Sequence, residues 1–175
     1  QKPNPLGGDV ISTELISTEL KLLLLILIAN GVPIVVASLC GAWGARPLDG
    51  GRVLADGYRC LGDSKTWRGV VLAPLITELV ALWLLLPAGV GTLVGIGAML
   101  GDLLSSFIKR RLGLVSSSMA LGLDQIPEAL FPLMLVANTL DLSWATIAWM
   151  VVAFMVLELV LSPVFFRLGI RDRPY

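Results

Sequence analysis

Gly101 to Glu128, GDLLSSFIKRRLGLVSSSMALGLDQIPE, joins two hydrophobic segments and gathers acids, hydroxyls and three consecutive bases at one edge of a membrane. Continued as a helix over Gly101 to Arg111, it sets Asp102, Ser105, Ser106 and Lys109 at i, i+3, i+4 and i+7, on one face. Asp124 and Glu128, four residues apart, share a face of the next helix. An ionised carboxylate in hydrocarbon is costly, so these acids are expected to face a polar cavity or a bound cation. Two carboxylate faces beside Lys109, Arg110 and Arg111 make a site able to hold metal ions and an anion together.

The composition around this stretch is that of a membrane protein. The chain has 175 residues, 56% of them hydrophobic and 15% charged, with a mean hydropathy of +0.86. This implies an all-α integral membrane protein with one compact domain over residues 1–175. A formal net charge of zero implies no bulk electrostatic partner and no nucleic acid. There is no histidine, which excludes His-based acid–base catalysis and the commonest zinc ligand. Cys40 and Cys60 fit neither a CxxC motif nor a disulfide framework and read as free thiols.

Hydropathy predicts about five transmembrane helices, near 22–40, 70–86, 88–108, 119–140 and 144–166, with a polar loop over 41–69. Gln1 to Asp9 reads as a loose tail, and the tandem ISTEL of Ile11 to Leu20 as a local duplication. Pro33 is expected to kink the first span. Gly91, Gly95, Gly97 and Gly101 in the third have the small-residue spacing that lets helices approach closely. Bases set the orientation. Arg46, Arg52, Arg59, Lys65 and Arg68 in the loop, Lys109 to Arg111, and Arg167, Arg171 and Arg173 all fall on one side, against Lys2 and Lys21 on the other. The positive-inside rule then puts the N-terminus out, the C-terminus in and the loop in the cytoplasm.

The chemistry clusters at that cytoplasmic face. Gly57, Gly62, Lys65 and Thr66 superficially suggest a phosphate-binding P-loop, but the spacing is wrong and the following helix is a membrane span. Asp124 has a bland reading as a helix cap, which leaves Glu128 unexplained. Asp102, Asp124 and Glu128 together suit Mg2+, which favours oxygen ligands and substrate phosphates. Glu78 and Glu158 remain ambiguous. A small cation- or substrate-coupled transporter is the alternative from another class, although such sites lie nearer the midplane and between related halves.

Two blocks, GDLLSSFIKRR with Gly122-Leu123-Asp124-Gln125, and Leu61-Gly62-Asp63-Ser64-Lys65-Thr66-Trp67-Arg68-Gly69, resemble the membrane CTP-dependent cytidylyltransferases. These include the CDP-diacylglycerol synthases and their archaeal relatives, the CDP-archaeol synthases, whose LGD-x-KT-x-RG pattern is the closer match. The chain reads Asp124-Gln125-Ile126-Pro127-Glu128 where the bacterial signature has Asp-Arg-x-x-Asp. The resemblance implies transfer of CMP from CTP to an isoprenoid glycerol ether lipid phosphate at the inner face of the cell membrane, with Mg2+, and leaves room for a homodimer. It implies catalytic roles for Asp102, Asp124 and Lys109, and metal binding by Asp102, Asp124 and Glu128. Phosphate contacts would come from Asp63, Lys65, Thr66, Arg68, Gly69, Lys109, Arg110 and Arg111, with Arg59 a weaker candidate.

Overall fold

The computed structural model describes residues 17–116 and 118–167, and its regular structure there is entirely helical. The Gln1–Asp9 tail, most of the ISTEL duplication, Arg171 and Arg173 lie outside the described residues. Five helices follow in order: α1 Thr18–Cys40, α2 Trp67–Trp83, α3 Val90–Arg111, α4 Gln125–Val136 and α5 Trp144–Arg167. By length and composition three of them, Thr18–Cys40, Val90–Arg111 and Trp144–Val164, are sufficient to cross a membrane.

Local chemistry sets each boundary. Ser17 starts α1 by accepting the Leu20 N–H through its hydroxyl at 3.3 Å. Thr66 does the same for α2, accepting the Gly69 N–H at 3.4 Å, so the expected 70–86 span is displaced to Trp67–Trp83. Glu78 of α2 accepts the Gly89 and Thr92 N–H groups, both at 2.7 Å, and seats its carboxylate at the positive N-terminus of α3.

The 119–140 span contracts most, to the twelve residues of α4. Before it, Asp124 Oδ2 accepts the Ala120 N–H at 2.9 Å and Gln125 Oε1 accepts the Gly122 N–H at 2.7 Å. These bonds hold residues 121–124 in a turn, with Gly122 at φ +79°, a conformation glycine adopts without a Cβ penalty. Asp124 occupies the cap position of α4, but its side chain accepts no hydrogen bond from the first turn of the helix.

Helix α3 is the centre of the assembly. A Cβ on Gly91 would strike the α2 backbone at Thr77 and Glu78, and one on Gly95 would strike Pro74. On its other side Gly97 meets Pro132 of α4, and Gly101 meets Pro127 and Glu128. The glycine spacing therefore serves close packing, as expected. Around this axis Leu22, Leu25, Ile26, Leu133, Met150 and Phe154 fill one apolar core, while Ala29, Val32, Ala73, Ala98 and Met99 form another. Chain direction alternates, so the C-terminal halves of α1, α3 and α5 meet the N-termini of α2 and α4 at one end.

Candidate active site

At that end lies a cavity of about 720 Å³. Lys65 enters it from the residue before the α2 cap and grips Asp102 of α3, its ammonium 2.5 and 2.7 Å from the two carboxylate oxygens. Lys109, two turns further along α3, pairs with Asp124 at 2.7 Å and donates to the Ser118 carbonyl at 2.9 Å. Glu128 follows one turn after Asp124 on α4 and is only 7% exposed. Its position comes from Gly101: without a side chain there, the α4 backbone at Pro127 and Glu128 lies directly against α3, next to Asp102. The four-residue face predicted on α3 thus reaches the cavity through Asp102, Ser106 and Lys109, while Ser105 is buried and bonds back to the Asp102 carbonyl.

The loop over 41–66 covers one side of the cavity and is built on Asp49. This carboxylate accepts the N–H groups of Gly51, Leu61 and Gly62 at 3.0, 3.0 and 3.2 Å and pairs with Arg59 at 2.9 Å. Burial works against its ionised form, but the Arg59 hydrogen bond and the three backbone donors outweigh that and hold it well below the ordinary carboxylate range. Arg59 also pairs with the exposed Asp63 at the rim. Lys65 balances similarly: burial opposes its charge, yet Asp102, then Glu128 and Asp124, keep its pKa above the usual lysine value.

Most of the predicted site residues reach this cavity. Asp63, Lys65, Thr66, Arg68, Gly69, Asp102, Lys109, Arg110, Asp124 and Glu128 all line it. Arg68 donates to the Trp43 carbonyl and Arg110 to the Val115 carbonyl at 2.7 Å. Gly69 borders Pro33 of α1, where a Cβ would come within 3.1 Å. Arg111 departs from expectation. It is absent from the lining and instead holds the loop, pairing with Asp56 at 2.6 Å, donating to the Arg59 carbonyl at 2.6 Å, and stacking over Phe107. Its neighbours on α3 point elsewhere because successive helical residues are about 100° apart.

Two features escaped sequence reasoning. Asp49 counted only as one acid among several, although Asp49-Gly50-Gly51 carries a turn signal that could have drawn notice. Glu158 of α5, left unassigned, lines the cavity with Asn30 and Gln125. Cys40 and Cys60 are free thiols as expected.

Chemically, the cavity offers two kinds of binding. The N-termini of α2 and α4 converge on it with Lys65, Arg68, Lys109 and Arg110, which favours a multiply charged anion. Asp102, Asp124 and Glu128 supply hard oxygen donors for a cation. Among the described residues, however, no three acidic or thiol side chains are gathered closely enough to hold a metal as they stand. Each aspartate is instead closed by a lysine.

Comparison with known proteins gives a consistent picture. A family model described as CarS-like CDP-archaeol synthase matches residues 13–175. The CDP-archaeol synthase of Thermococcus kodakarensis is 34% identical over 158 residues, covering 84% of this chain and 89% of the relative. That of Natronomonas pharaonis is 35% identical, covering 82% and 91%. A solved structure of an intramembrane enzyme for archaeal membrane lipids biosynthesis superimposes with a TM-score of 0.64 at 33% identity, covering 80% of this chain and 89% of the other.

Proposed function

The chain belongs to the CDP-archaeol synthase family, and from that premise we propose that the cavity closed by the Lys65–Asp102 and Lys109–Asp124 pairs is where the reaction takes place. The protein is a CTP-dependent cytidylyltransferase of the membrane that forms CDP-archaeol from a lipid phosphate. Nothing supports the transporter alternative.

The observation that carries the site assignment is the pairing itself. Two ammonium groups and two carboxylates meet in one cavity at 2.5 and 2.7 Å, under the N-termini of α2 and α4. A nucleoside triphosphate brings about four negative charges, which compete with Asp102 and Asp124 for the lysines. As Lys65 and Lys109 turn to the phosphates, with Arg68 and Arg110 beside them, the carboxylates are released. Asp102, Asp124 and Glu128 then present the oxygen donors that would hold Mg2+. Bound there, Mg2+ supplies neutralisation of the triphosphate and of the charge that develops on the leaving group.

The lipid phosphate attacks with an oxygen that is already largely ionised near neutral pH (second pKa about 6). No general base is required, consistent with the absence of histidine. A new bond forms between that oxygen and the α-phosphorus of CTP. The bond from the α-phosphorus to its bridging oxygen breaks, and the electron pair leaves with pyrophosphate. Lys65 and Lys109 hold the phosphates in line, the contribution expected of positioning and electrostatic stabilisation.

We take the topology as five crossings with the N-terminus out and the active site facing the cytoplasm. The alternating helix directions and the basic loop support this reading. The test is lipid-dependent pyrophosphate release from CTP by the purified protein, with Mg2+ present and with it removed by chelation. Release that requires both lipid and Mg2+, and is lost in Asp124→Ala, is expected. Undiminished release from Asp124→Ala would move the site elsewhere.

A further inference from the structure

Every glycine within α2 and α3 stands against a close neighbour. Gly69 meets Pro33, Gly91 and Gly95 meet the α2 backbone, and Gly97 and Gly101 meet that of α4. Gly31, in the interior of α1, does not. Nothing lies within 4 Å of the Cβ it lacks. A glycine inside a helix costs about 1 kcal/mol relative to alanine, and here neither packing nor backbone conformation demands it. Its missing side chain leaves open space.

That space borders a narrow cleft between α1 and α5. Leu27, Gly31 and Ile34 form one wall, and Phe154 and Leu161 the other. The cleft has a polar inner edge of Asn30, Glu158 and Ser162, residues that also line the main cavity, so the two spaces adjoin across that edge. Both flanking helices are long enough to cross a bilayer. Moving inward from the apolar wall, a molecule meets the polar edge and then the lysines. This order of surfaces fits an amphiphile with apolar chains behind a phosphate, and it does not fit a nucleotide.

Resting on the function proposed above, we infer that the α1–α5 cleft is the passage by which the lipid phosphate reaches the cavity from the bilayer, and that Gly31 keeps it open. Gly31 is therefore an access residue for the lipid and not for CTP. A bulky side chain there obstructs one substrate while the other still enters through the polar mouth.

The test is the separate determination of KM for lipid phosphate and for CTP in full-length wild type, Gly31→Phe and Leu161→Phe, with Val152→Phe on the exposed side of α5 as control. Gly31→Phe should raise the lipid KM about tenfold or more, leave the CTP KM within about twofold, and keep the thermal midpoint of wild type. Val152→Phe should change neither constant. An unchanged lipid KM in Gly31→Phe, or an equal rise for both substrates, overturns the passage. Should Gly31→Phe fail to accumulate folded, Leu161→Phe on the facing wall is judged by the same criteria. Absence of lipid-dependent release in wild type would instead overturn the underlying function, so the two failures are distinguishable.

Discussion

Replacing Lys65 with Met removes the charge that closes Asp102 while keeping an apolar stem of similar length. The two groups approach to 2.5 Å and each side chain is about one-fifth exposed. With charge centres roughly 3–4 Å apart, their gross attraction at an effective dielectric near 20 is about 4–5 kcal/mol. Desolvation of both partners offsets most of this, leaving a net coupling of about 1–2 kcal/mol. The single substitution costs more than the coupling, about 2–4 kcal/mol, because it leaves a carboxylate in the cavity without its partner. If Lys65 also holds phosphates, kcat/KM for CTP should fall about 100- to 1000-fold.

The double variant Lys65→Met/Asp102→Asn separates these roles. Thermal unfolding in detergent should recover most of the stability lost in Lys65→Met, because the orphaned charge is gone. Pyrophosphate release should not recover if, as proposed, both groups act on substrate. Recovery of stability and activity together would refute the reasoning and reduce the pair to a structural tie. So would a Lys65→Met enzyme within about threefold of wild-type kcat/KM.

Gly101→Ala puts a Cβ into the α4 backbone at Pro127 and Glu128; overpacking of this kind costs about 1–3 kcal/mol, so both melting temperature and activity should fall. Asp49→Asn should accelerate alkylation of Cys60 about 10- to 100-fold, the equivalent of losing about 1.5–3 kcal/mol of charge-assisted hydrogen bonding in the loop. The loop should also depend on acid in a defined direction. The Asp49 pKa is lowered on folding, so its contribution is complete above the unfolded carboxylate value of about 4 and is lost as pH falls through the folded one. Cys60 protection should therefore persist to about pH 4 and decline below it, and Asp49→Asn should abolish that decline. Arg111→Ala should loosen the same loop, raising Cys60 reactivity, with a smaller effect on CTP KM than Lys109→Ala, since Arg111 binds loop carbonyls and Asp56 outside the cavity.

Much of the fold was legible because hydropathy counts helices and the glycine spacing on α3 announces close contacts. The i, i+3, i+4, i+7 pattern correctly brought Asp102, Ser106 and Lys109 to one cavity. The contacts that decide the chemistry were not legible. Lys65 and Asp102 are 37 positions apart, and no local pattern says that a loop lysine returns to that helix. The extent of α4 was misjudged because hydropathy measures transfer to lipid, whereas Asp124 and Gln125 bind backbone N–H groups and hold the preceding apolar residues in turns. Arg111 was grouped with Lys109 and Arg110 by adjacency in sequence, which on a helix means different faces. Glu78 escaped assignment because its partners, Gly89 and Thr92, lie across the α2–α3 turn.

The backbone contacts of α3 divide the molecule by its capacity to move. With Gly91 and Gly95 seated on α2, and Gly97 and Gly101 seated on α4, sliding any one of these helices would drive side chains or backbone into one another. They should behave as a rigid cassette that fixes the backbone positions of Asp102, Lys109, Asp124 and Glu128. Displacement large enough to admit and discharge substrates should fall to the elements outside this cassette: the 41–66 loop, α1 and α5. Amide hydrogen exchange should be slowest along α3 and faster in those elements, and ligand binding should slow exchange chiefly in the loop. On this reading the helix backbones that carry the proposed site groups hold still while the walls around them open and close.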